Sequence, residues 1–264
     1  MKQAFSIASA LHPEVNQDSY FLMDDFLAGG VFDGVGGMAH GDKASSVSCE
    51  AVNKQLLIDK YFEYNTKTAL EQARMQLTLE NKRLERHEYM DSTAVVCYIN
   101  PEGCGNIAWC GDSRAYGLTN EGRLSLLTRD HNLLFSMEQD KLISKMQAAR
   151  INNLIDNSSS ANMISLKGGK KAWRQWVYRN YIFSSVGQGV IEMTYFFMND
   201  YLGILLTTDG VHDNLTMREM EQAIYESSSD SICQNLVEKA KERSESVHDR
   251  AKPDDITALF LSVD

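Results

Sequence analysis

Short stretches in which apolar and polar residues alternate recur along the chain, and their β-branched and aromatic side chains predict β-strands. Eight strands are predicted, near Ala4–Ala8, Tyr20–Phe26, Gly29–Asp33, Thr93–Ile99, Asn106–Gly111, Ile191–Met198, Gly203–Thr208 and Ile256–Val263. Apolar residues at helical spacing predict helices at Lys43–Lys60, Thr66–Met90, Thr216–Ser227 and Ser229–Ser244. Because the strands come in runs and the helices in pairs, the pattern favours antiparallel sheets covered by helices.

Composition places the chain among globular proteins. Of its 264 residues 43% are hydrophobic, which excludes a disordered chain, and the length is at the upper end for one domain with a single core. No apolar run is long enough to cross a membrane. The five cysteines are odd in number and form no CxxC pair, which favours reduced thiols over disulfides or a zinc ribbon. We therefore expect a protein of the cytoplasm.

Charge is distributed unevenly along the chain. The net charge is −10, which disfavours binding of nucleic acid by the protein as a whole. Eight basic residues and one acidic residue lie between Lys141 and Arg179, so this segment carries +7 and the rest of the chain carries −17. The Ser/Asn-rich stretch Asn157–Asn162 and the pair Gly168-Gly169 predict loops there. Two interpretations remain open, a basic flap over an acidic body and a solvated helical segment.

Aspartates occur at the ends of several predicted strands. Three apolar runs end in Asp33, Asp112 and Asp209, and a fourth run follows Asp254-Asp255. Since the end of one antiparallel strand lies beside the start of the next, these carboxylates can converge at one edge of the sheets. Clustered carboxylates repel one another unless cations neutralise them, and oxygen ligands select Mg²⁺ or Mn²⁺. A single Asp after a strand is better explained as a turn residue or helix cap, but four favour a metal site.

A glycine-rich stretch, Gly34–Ala39, fits the dinucleotide-binding pattern G-x-G-x-x-A only loosely. Asp33 would repel a pyrophosphate there, and Lys54 stands where that pattern expects an acid. The chain also has no Walker-type GK[ST] motif. Nucleotide binding of either kind is therefore not supported.

Several ordered motifs resemble those of the metal-dependent protein phosphatases of type 2C (the PPM family), in their bacterial form. They are Asn16-Gln17-Asp18, Val31–Gly37 with Gly41 and Ala44-Ser45, Gly111–Tyr116, Leu127–His131, Thr207–Gly210 and Pro253–Thr257. The resemblance spans nearly the whole chain. It implies an α+β fold, an α-β-β-α sandwich, with residues 1–264 as a single catalytic domain and a basic flap or insertion at about 132–180.

The resemblance also implies the chemistry, which is hydrolysis of phosphoserine and phosphothreonine by a water that bridges two Mg²⁺ or Mn²⁺ ions. By position, Asp33 would bridge the two ions, Gly34 would offer its carbonyl to one, and Asp209 and Asp254 would hold the other. Asp18 would act through a metal-bound water, and Asp112 and Asp213 would join Asp209 around a third, weaker ion. The catalytic set implied is thus Asp18, Asp33 and Asp209, while Arg114 and Arg129 are interpreted as structural ion-pair partners.

The chain departs from the family pattern where the substrate phosphate would be held. The Arg that the family usually has three residues before the opening Asn is Pro13 here, preceded by His12, and the His found in eukaryotic members is Val35. The candidates for holding the phosphate are therefore His12, or the cations of the basic segment, namely Lys167, Lys170, Lys171 and Arg174.

We predict an Mg²⁺- or Mn²⁺-dependent serine/threonine protein phosphatase whose partner is a phosphorylated protein. One alternative is a catalytically weakened family member that binds a phosphoprotein without turning it over. Another is a nucleic-acid or membrane-surface binder that uses Lys170-Lys171 with Trp173 and Trp176. The sequence leaves the substrate, the choice of metal and the oligomeric state open.

Overall fold

Two antiparallel sheets form the centre of the protein, as seen in a computed structural model that describes residues 1–23, 27–36, 40–59, 65–85 and 88–262. The strands run in the orders β1-β10-β9-β6-β7 and β2-β3-β4-β5-β8. Their bounds are β1 Lys2–Ile7, β2 Asp18–Leu22, β3 Leu27–Asp33, β4 Ala94–Ile99, β5 Cys104–Cys110, β6 Arg114–Thr119, β7 Leu124–Leu126, β8 Glu192–Phe197, β9 Tyr201–Thr207 and β10 Ile256–Leu261.

Paired helices cover the outer face of each sheet. Helices α1 (Gly41–Asp59) and α2 (Thr66–Asn81) pack on the sheet of β2, and α7 (Met217–Glu226) and α8 (Ile232–Ser244) pack on the sheet of β1. A short helix α6 (Asp209–His212) follows β9. The predicted α-β-β-α sandwich of the α+β class is confirmed. Among the described residues no helix is long and apolar enough to cross a bilayer.

One hydrophobic core lies between the two sheets, and two more lie where the helices cover them. Val31 and Ile107 of one sheet and Leu206 and Leu259 of the other belong to one buried cluster. Strands β4 and β10 are buried at every position, because one face of each meets the opposite sheet and the other face meets helices. This burial on two sides explains why both strands are almost continuously apolar in sequence.

The predicted strands correspond to β1–β5 and β8–β10, but β6 and β7 were missed. Strand β6 begins with the buried charge of Arg114, and β7 is only three residues long, so neither shows a clear alternation. Helix α2 ends at Asn81, earlier than the predicted Met90, because the Asn81 side chain exchanges two 2.9 Å hydrogen bonds with the Met90 backbone. The residues at predicted ends or in motifs that lie outside the described residues include Phe26, Gly37, Ala39, Lys60 and Val263.

Residues 132–180, here called the insertion, form three helices rather than a loop. These are α3 (Leu133–Gln139), α4 (Lys145–Asp156) and α5 (Ala161–Val177). The predicted loop at Asn157–Asn162 shrinks to the short link before α5, and Gly168-Gly169 lies inside α5. Gly169 has φ +65° and ψ −164°, a non-helical conformation that glycine adopts at little cost, and it kinks α5 into two helical stretches. The segment is helical, and its role as a flap over the acidic body stays a prediction.

Candidate metal centre

Asp18 and Asp33 lie side by side where β2 begins and β3 ends. The two residues are directly paired in the antiparallel register. Asp112 follows the end of β5 at Cys110, and Asp209 follows the end of β9 at Thr207. Asp254 comes just before β10, which begins at Ile256. The predicted convergence of the strand ends therefore occurs. We call the resulting cavity of about 210 Å³ the acidic pocket; its lining includes Asp33, Asp112, Asp209, Asp254 and Lys252.

Asp18 is held from the opposite sheet. Its Oδ2 accepts hydrogen bonds from the hydroxyls of Thr208 at 2.8 Å and Thr257 at 2.6 Å, whereas its buried Oδ1 has no hydrogen-bond partner. Burial raises the pKa of Asp18 well above its usual value, and the two threonine hydroxyls only partly offset this. The side chain is thus fixed by one oxygen and leaves the other free for a ligand.

Asp33 is the last residue of β3, and Gly34 follows it with a single antiparallel bridge to Ser92. The Asp33 carbonyl accepts hydrogen bonds from the Thr93 N–H at 2.8 Å and the Ser92 hydroxyl at 2.9 Å. A Cβ at Gly34 would collide with the backbone of Gly41, so only glycine fits. Burial raises the pKa of the Asp33 carboxyl well above its usual value, and the nearby carboxylates of Asp209 and Asp18 raise it further.

Asp112 directly follows Gly111, a second position that requires glycine. Gly111 has φ +94° and would place a Cβ against Thr93, so glycine is required here as well. Asp112 is 6% exposed. Burial, then the charge of Asp209, raises the pKa of the Asp112 carboxyl well above its usual value.

Lys252 lies among three of the predicted ligands. Its ammonium Nζ contacts Asp209 Oδ2, Asp254 Oδ2 at 3.0 Å and Asp213 Oδ2 at 3.1 Å. Asp213 Oδ2 also lies 3.3 Å from Nε of Arg179, at the end of the insertion. Burial alone would raise the pKa of Asp213, but Lys252 and Arg179 outweigh it and hold the pKa below its usual value.

The carboxylates of the pocket outnumber its cations. Six aspartates were predicted as ligands or catalytic groups, and the only cations with an ion pair to any of them among the described residues are Lys252 and Arg179. Burial raises the pKa of Asp209 to about 7 despite its contact with Lys252, and its buried Oδ1 has no hydrogen-bond partner. The site carries about four uncompensated negative charges when every aspartate is ionised.

Hard divalent cations fit this donor set. Two such ions would neutralise the four charges, and the unpartnered oxygens of Asp18 and Asp209 are ligands of the type that Mg²⁺ and Mn²⁺ prefer. Within the described ranges, no three His, Cys, Asp or Glu side chains are already gathered as a ready metal site. Lys252 explains part of this, since its ammonium lies between carboxylates that an ion would otherwise draw together.

Sequence reasoning missed the residues that hold the aspartates in place. Lys252 was not singled out, although it stands two positions before Asp254, a spacing that puts side chains on one side of an extended segment. Asp255 is buried and accepts the backbone N–H groups of Ser9 at 2.6 Å and Gln17 at 2.7 Å, which fixes the approach to Asp18. No sequence signal marks such long-range contacts.

The predicted phosphate-holding residues do not line the acidic pocket. Lys167, Lys170 and Lys171 instead line, with Arg150, a separate groove of about 620 Å³ between α4 and α5, which we call the basic groove. His12 is partly exposed, and its Nδ1 lies 3.1 Å from the Val15 carbonyl and 3.8 Å from Asp255. Arg174 also lies on α5 and is absent from the pocket lining. From the insertion, it is Asn180 that reaches the pocket, together with the neighbouring Ile182.

Arg114 and Arg129 are ion-paired, as interpreted from the sequence. Buried Arg114 donates to both oxygens of Asp130, at 2.8 and 2.7 Å, and to Asp156 of α4 at 3.0 Å. Arg129 pairs with Glu138 at 2.8 Å and Glu192 at 2.7 Å. We call Arg114, Asp130 and Asp156 the Arg114 cluster.

Trp176, proposed above as part of an exposed binding surface, is in fact buried. The guanidinium groups of Arg179 and Arg250 lie 4.3 and 5.4 Å from its ring centre. Arg250 also donates to the carbonyls of Ile155 and Ser158, which ties the insertion to the domain. This position removes Trp176 from any stacking surface for nucleic acid.

Comparisons with known proteins agree with this geometry. The structure is similar to the serine/threonine phosphatase Stp1 from Staphylococcus aureus, with a TM-score of 0.73, 18% identity, and coverage of 100% of this chain and 94% of that chain. It is similar to the phosphatase PstP/Ppp of Mycobacterium tuberculosis, with a TM-score of 0.72, 17% identity, and coverage of 100% and 98%. The catalytic domain of PstP in complex with two manganese ions gives a TM-score of 0.71, 18% identity, and coverage of 100% and 98%.

At these identities the solved structures establish the fold, and the sequence itself establishes the family. A comparison with curated proteins finds no match. Residues 12–250 match the family described as protein phosphatase 2C. Of the six aspartates predicted as ligands or catalytic groups, this range leaves out Asp254 alone. The chain belongs to the protein phosphatase 2C family.

Proposed function

We propose that the protein is a serine/threonine protein phosphatase that hydrolyses phosphomonoesters with a water activated by two Mg²⁺ or Mn²⁺ ions. The observation that carries this proposal is the charge of the acidic pocket. Six aspartates line the pocket or lie beside it, and among the described residues only Lys252 and Arg179 form ion pairs with any of them. Carboxylate oxygens of Asp18 and Asp209 are buried without hydrogen-bond partners. Family membership and the relative crystallised with two manganese ions support it.

Divalent ions in such a pocket lower the pKa of bound water and neutralise charge on a phosphoryl group. The residues proposed to hold them are Asp33, the Gly34 carbonyl, Asp209 and Asp254. Thr208 and Thr257 orient Asp18, so that its free Oδ1 faces away from the two hydroxyls and can accept a hydrogen bond from water. No nucleophilic side chain is needed, in keeping with cysteines whose pKa is raised by burial at Cys49, Cys97 and Cys110.

The test is hydrolysis of a phosphoserine peptide and of a small aryl phosphate, with added Mn²⁺ or with a chelator. We expect turnover with Mn²⁺ and none with the chelator, and near-complete loss in Asp33→Asn. Equal turnover by Asp33→Asn and the wild type, with the variant folded, would reject the assignment.

A second candidate is a weakened family member that binds phosphoproteins without hydrolysing them. The contact of Lys252 with three predicted ligands favours this alternative, because a fixed ammonium competes with ions for their oxygens. Saturable binding of the phosphopeptide, without release of phosphate at any Mn²⁺ concentration, would identify it.

The basic groove is our proposal for where part of a phosphoprotein substrate binds. Lys167, Lys170 and Lys171 lie on α5 beside Arg150 of α4 and give the groove a positive charge on an otherwise acidic chain. The groove lies outside the acidic pocket, so we propose contact with acidic residues that flank the phosphorylated site. A cytoplasmic location stays a prediction.

A further inference from the structure

We infer that Lys252 is a built-in cation that closes the Asp213 side of the acidic pocket to divalent ions, so that the protein binds two ions there and not a third. This inference rests on the proposed metal centre and adds how many ions it takes. It concerns the corner of the pocket formed by Asp209, Asp213 and Asp254.

Lys252 contacts one oxygen of each of three carboxylates. Its Nζ contacts the Oδ2 atoms of Asp209, Asp213 and Asp254. The Oδ1 of Asp209 stays buried without a hydrogen-bond partner, and the Oδ1 of Asp254 accepts the N–H of Asp255 at 3.0 Å. The ammonium thus binds the side of Asp209 that faces Asp213 and leaves the other oxygen free.

Asp213 has a second cation as well. Arg179 Nε lies 3.3 Å from the same Oδ2 that Lys252 contacts, and the guanidinium is stacked 4.3 Å from the Trp176 ring centre. An ion that used this oxygen would have to displace two basic groups at once. The other aspartates, Asp18, Asp33 and Asp112, have no ion pair with a basic side chain among the described residues.

Lys252 is fixed in this position by its backbone. Its N–H donates to Asn214 Oδ1, and its carbonyl accepts from Asn214 Nδ2, both at 2.9 Å. Asn214 is itself buried. The backbone of Lys252 is thus held on both sides, and its side chain starts close to the carboxylates that its ammonium contacts.

Charge then decides where ions bind. Lys252 and Arg179 both contact Asp213 and offset its single charge, whereas Asp18, Asp33 and Asp112 have no ion pair with a basic side chain among the described residues. Divalent cations are therefore drawn to the Asp33 side, with the free Oδ1 of Asp209 as a shared ligand. Asp213, which the family resemblance places around a third ion, acts here as an ion-pair partner.

The test counts ions directly, by equilibrium dialysis of the full chain against increasing Mn²⁺ followed by metal analysis. We expect two Mn²⁺ per chain in the wild type and three in Lys252→Met, which removes the ammonium but keeps the length of the side chain. Lys252→Arg retains the charge and should bind two. Lys239→Met removes an exposed lysine that pairs with Glu226 on the surface and should also bind two.

Lys252→Met is prepared with Mn²⁺ present throughout, so that unneutralised carboxylates do not unfold it, and its fold is checked by circular dichroism. Three ions in the wild type, or the same count in Lys252→Met and the wild type, would overturn the inference and leave the proposed phosphatase activity standing. Absence of bound Mn²⁺ from every variant would reject the metal centre, and the inference with it.

Discussion

Two groups of buried aspartates, the acidic pocket and the Arg114 cluster, differ in how their oxygens are satisfied. In the Arg114 cluster both oxygens of Asp130 accept hydrogen bonds from one guanidinium, which also donates to Asp156. In the acidic pocket Asp18 and Asp209 each keep a buried oxygen without a hydrogen-bond partner. Buried carboxylates whose oxygens all have partners hold structural elements together. Buried carboxylates with an oxygen that lacks a partner are available to bind a ligand from solvent.

The comparison is tested most strongly by Asp33→Asn. In the pocket this change removes a proposed ligand, and we expect activity to fall by at least roughly 10²–10³-fold, the scale of one lost electrostatic contact in the transition state. The same change removes a repelled charge, so the metal-free variant should unfold at a higher temperature than the wild type. Asp209→Ala should lose activity to a similar degree. If Asp33→Asn loses activity but unfolds at a lower temperature than the wild type without metal, then repulsion between Asp33 and the neighbouring carboxylates does not destabilise the fold.

Arg114→Met should give the opposite result, a loss of stability. It leaves Asp130 and Asp156 buried without their cation, which costs about 3–5 kcal/mol in comparable buried pairs. Urea unfolding measures this loss. Arg123→Met is the control, because Arg123 pairs with Glu221 but is 70% exposed, and we expect a change of at most about 1 kcal/mol. Similar losses in the two variants would mean that the cluster is no more than a surface ion pair.

The stability of the metal-free protein should fall as pH rises. The pKa of Asp209 is raised by burial to about 7, so the folded protein retains a proton that the unfolded chain releases near pH 4, roughly the usual value. The stability from this group is complete below the unfolded pKa and is lost as the pH rises through 7. Thermal unfolding between pH 5 and pH 8, roughly, should show the decline, and added Mn²⁺ should reduce it.

Asp209→Asn is the matched variant for that measurement, since it cannot titrate at this position. Its metal-free stability should depend less on pH over the same range than that of the wild type. An equal slope in both proteins would assign the pH dependence to other groups.

The smallest effect is expected in the basic groove. Replacing Arg150, Lys167, Lys170 and Lys171 by Gln should raise KM for an acidic phosphopeptide by about 10-fold or less, because exposed charges act mainly on association. The effect should shrink at high salt. Hydrolysis of a small aryl phosphate should not change, since these residues lie outside the acidic pocket. Unchanged peptide kinetics at low salt would show that the groove does not bind the substrate.

Much of the acidic pocket could be predicted from the sequence because each aspartate adjoins a recognisable strand. Asp33, Asp112 and Asp209 follow apolar runs, and antiparallel pairing brings such ends together. The roles of Lys252 and Arg179 depend on contacts between segments far apart in the chain, which periodicity does not report. Strand β6 was missed for a related reason, since its first residue, Arg114, is a buried charge paired with Asp130 and with Asp156 from the insertion.

The pairing of β1 with β10 also determines when the metal centre can form. Lys2 lies opposite Leu261 in that pair, so the sheet joins segments separated by almost the whole chain. During synthesis, β10 and the adjacent Asp254 leave the ribosome after every other strand. A nascent chain therefore exposes Asp18 and Asp33 without their partners from the opposite sheet, Thr257 above all. Contacts of such high sequence separation form slowly, and the ability to bind metal should be gained late in folding.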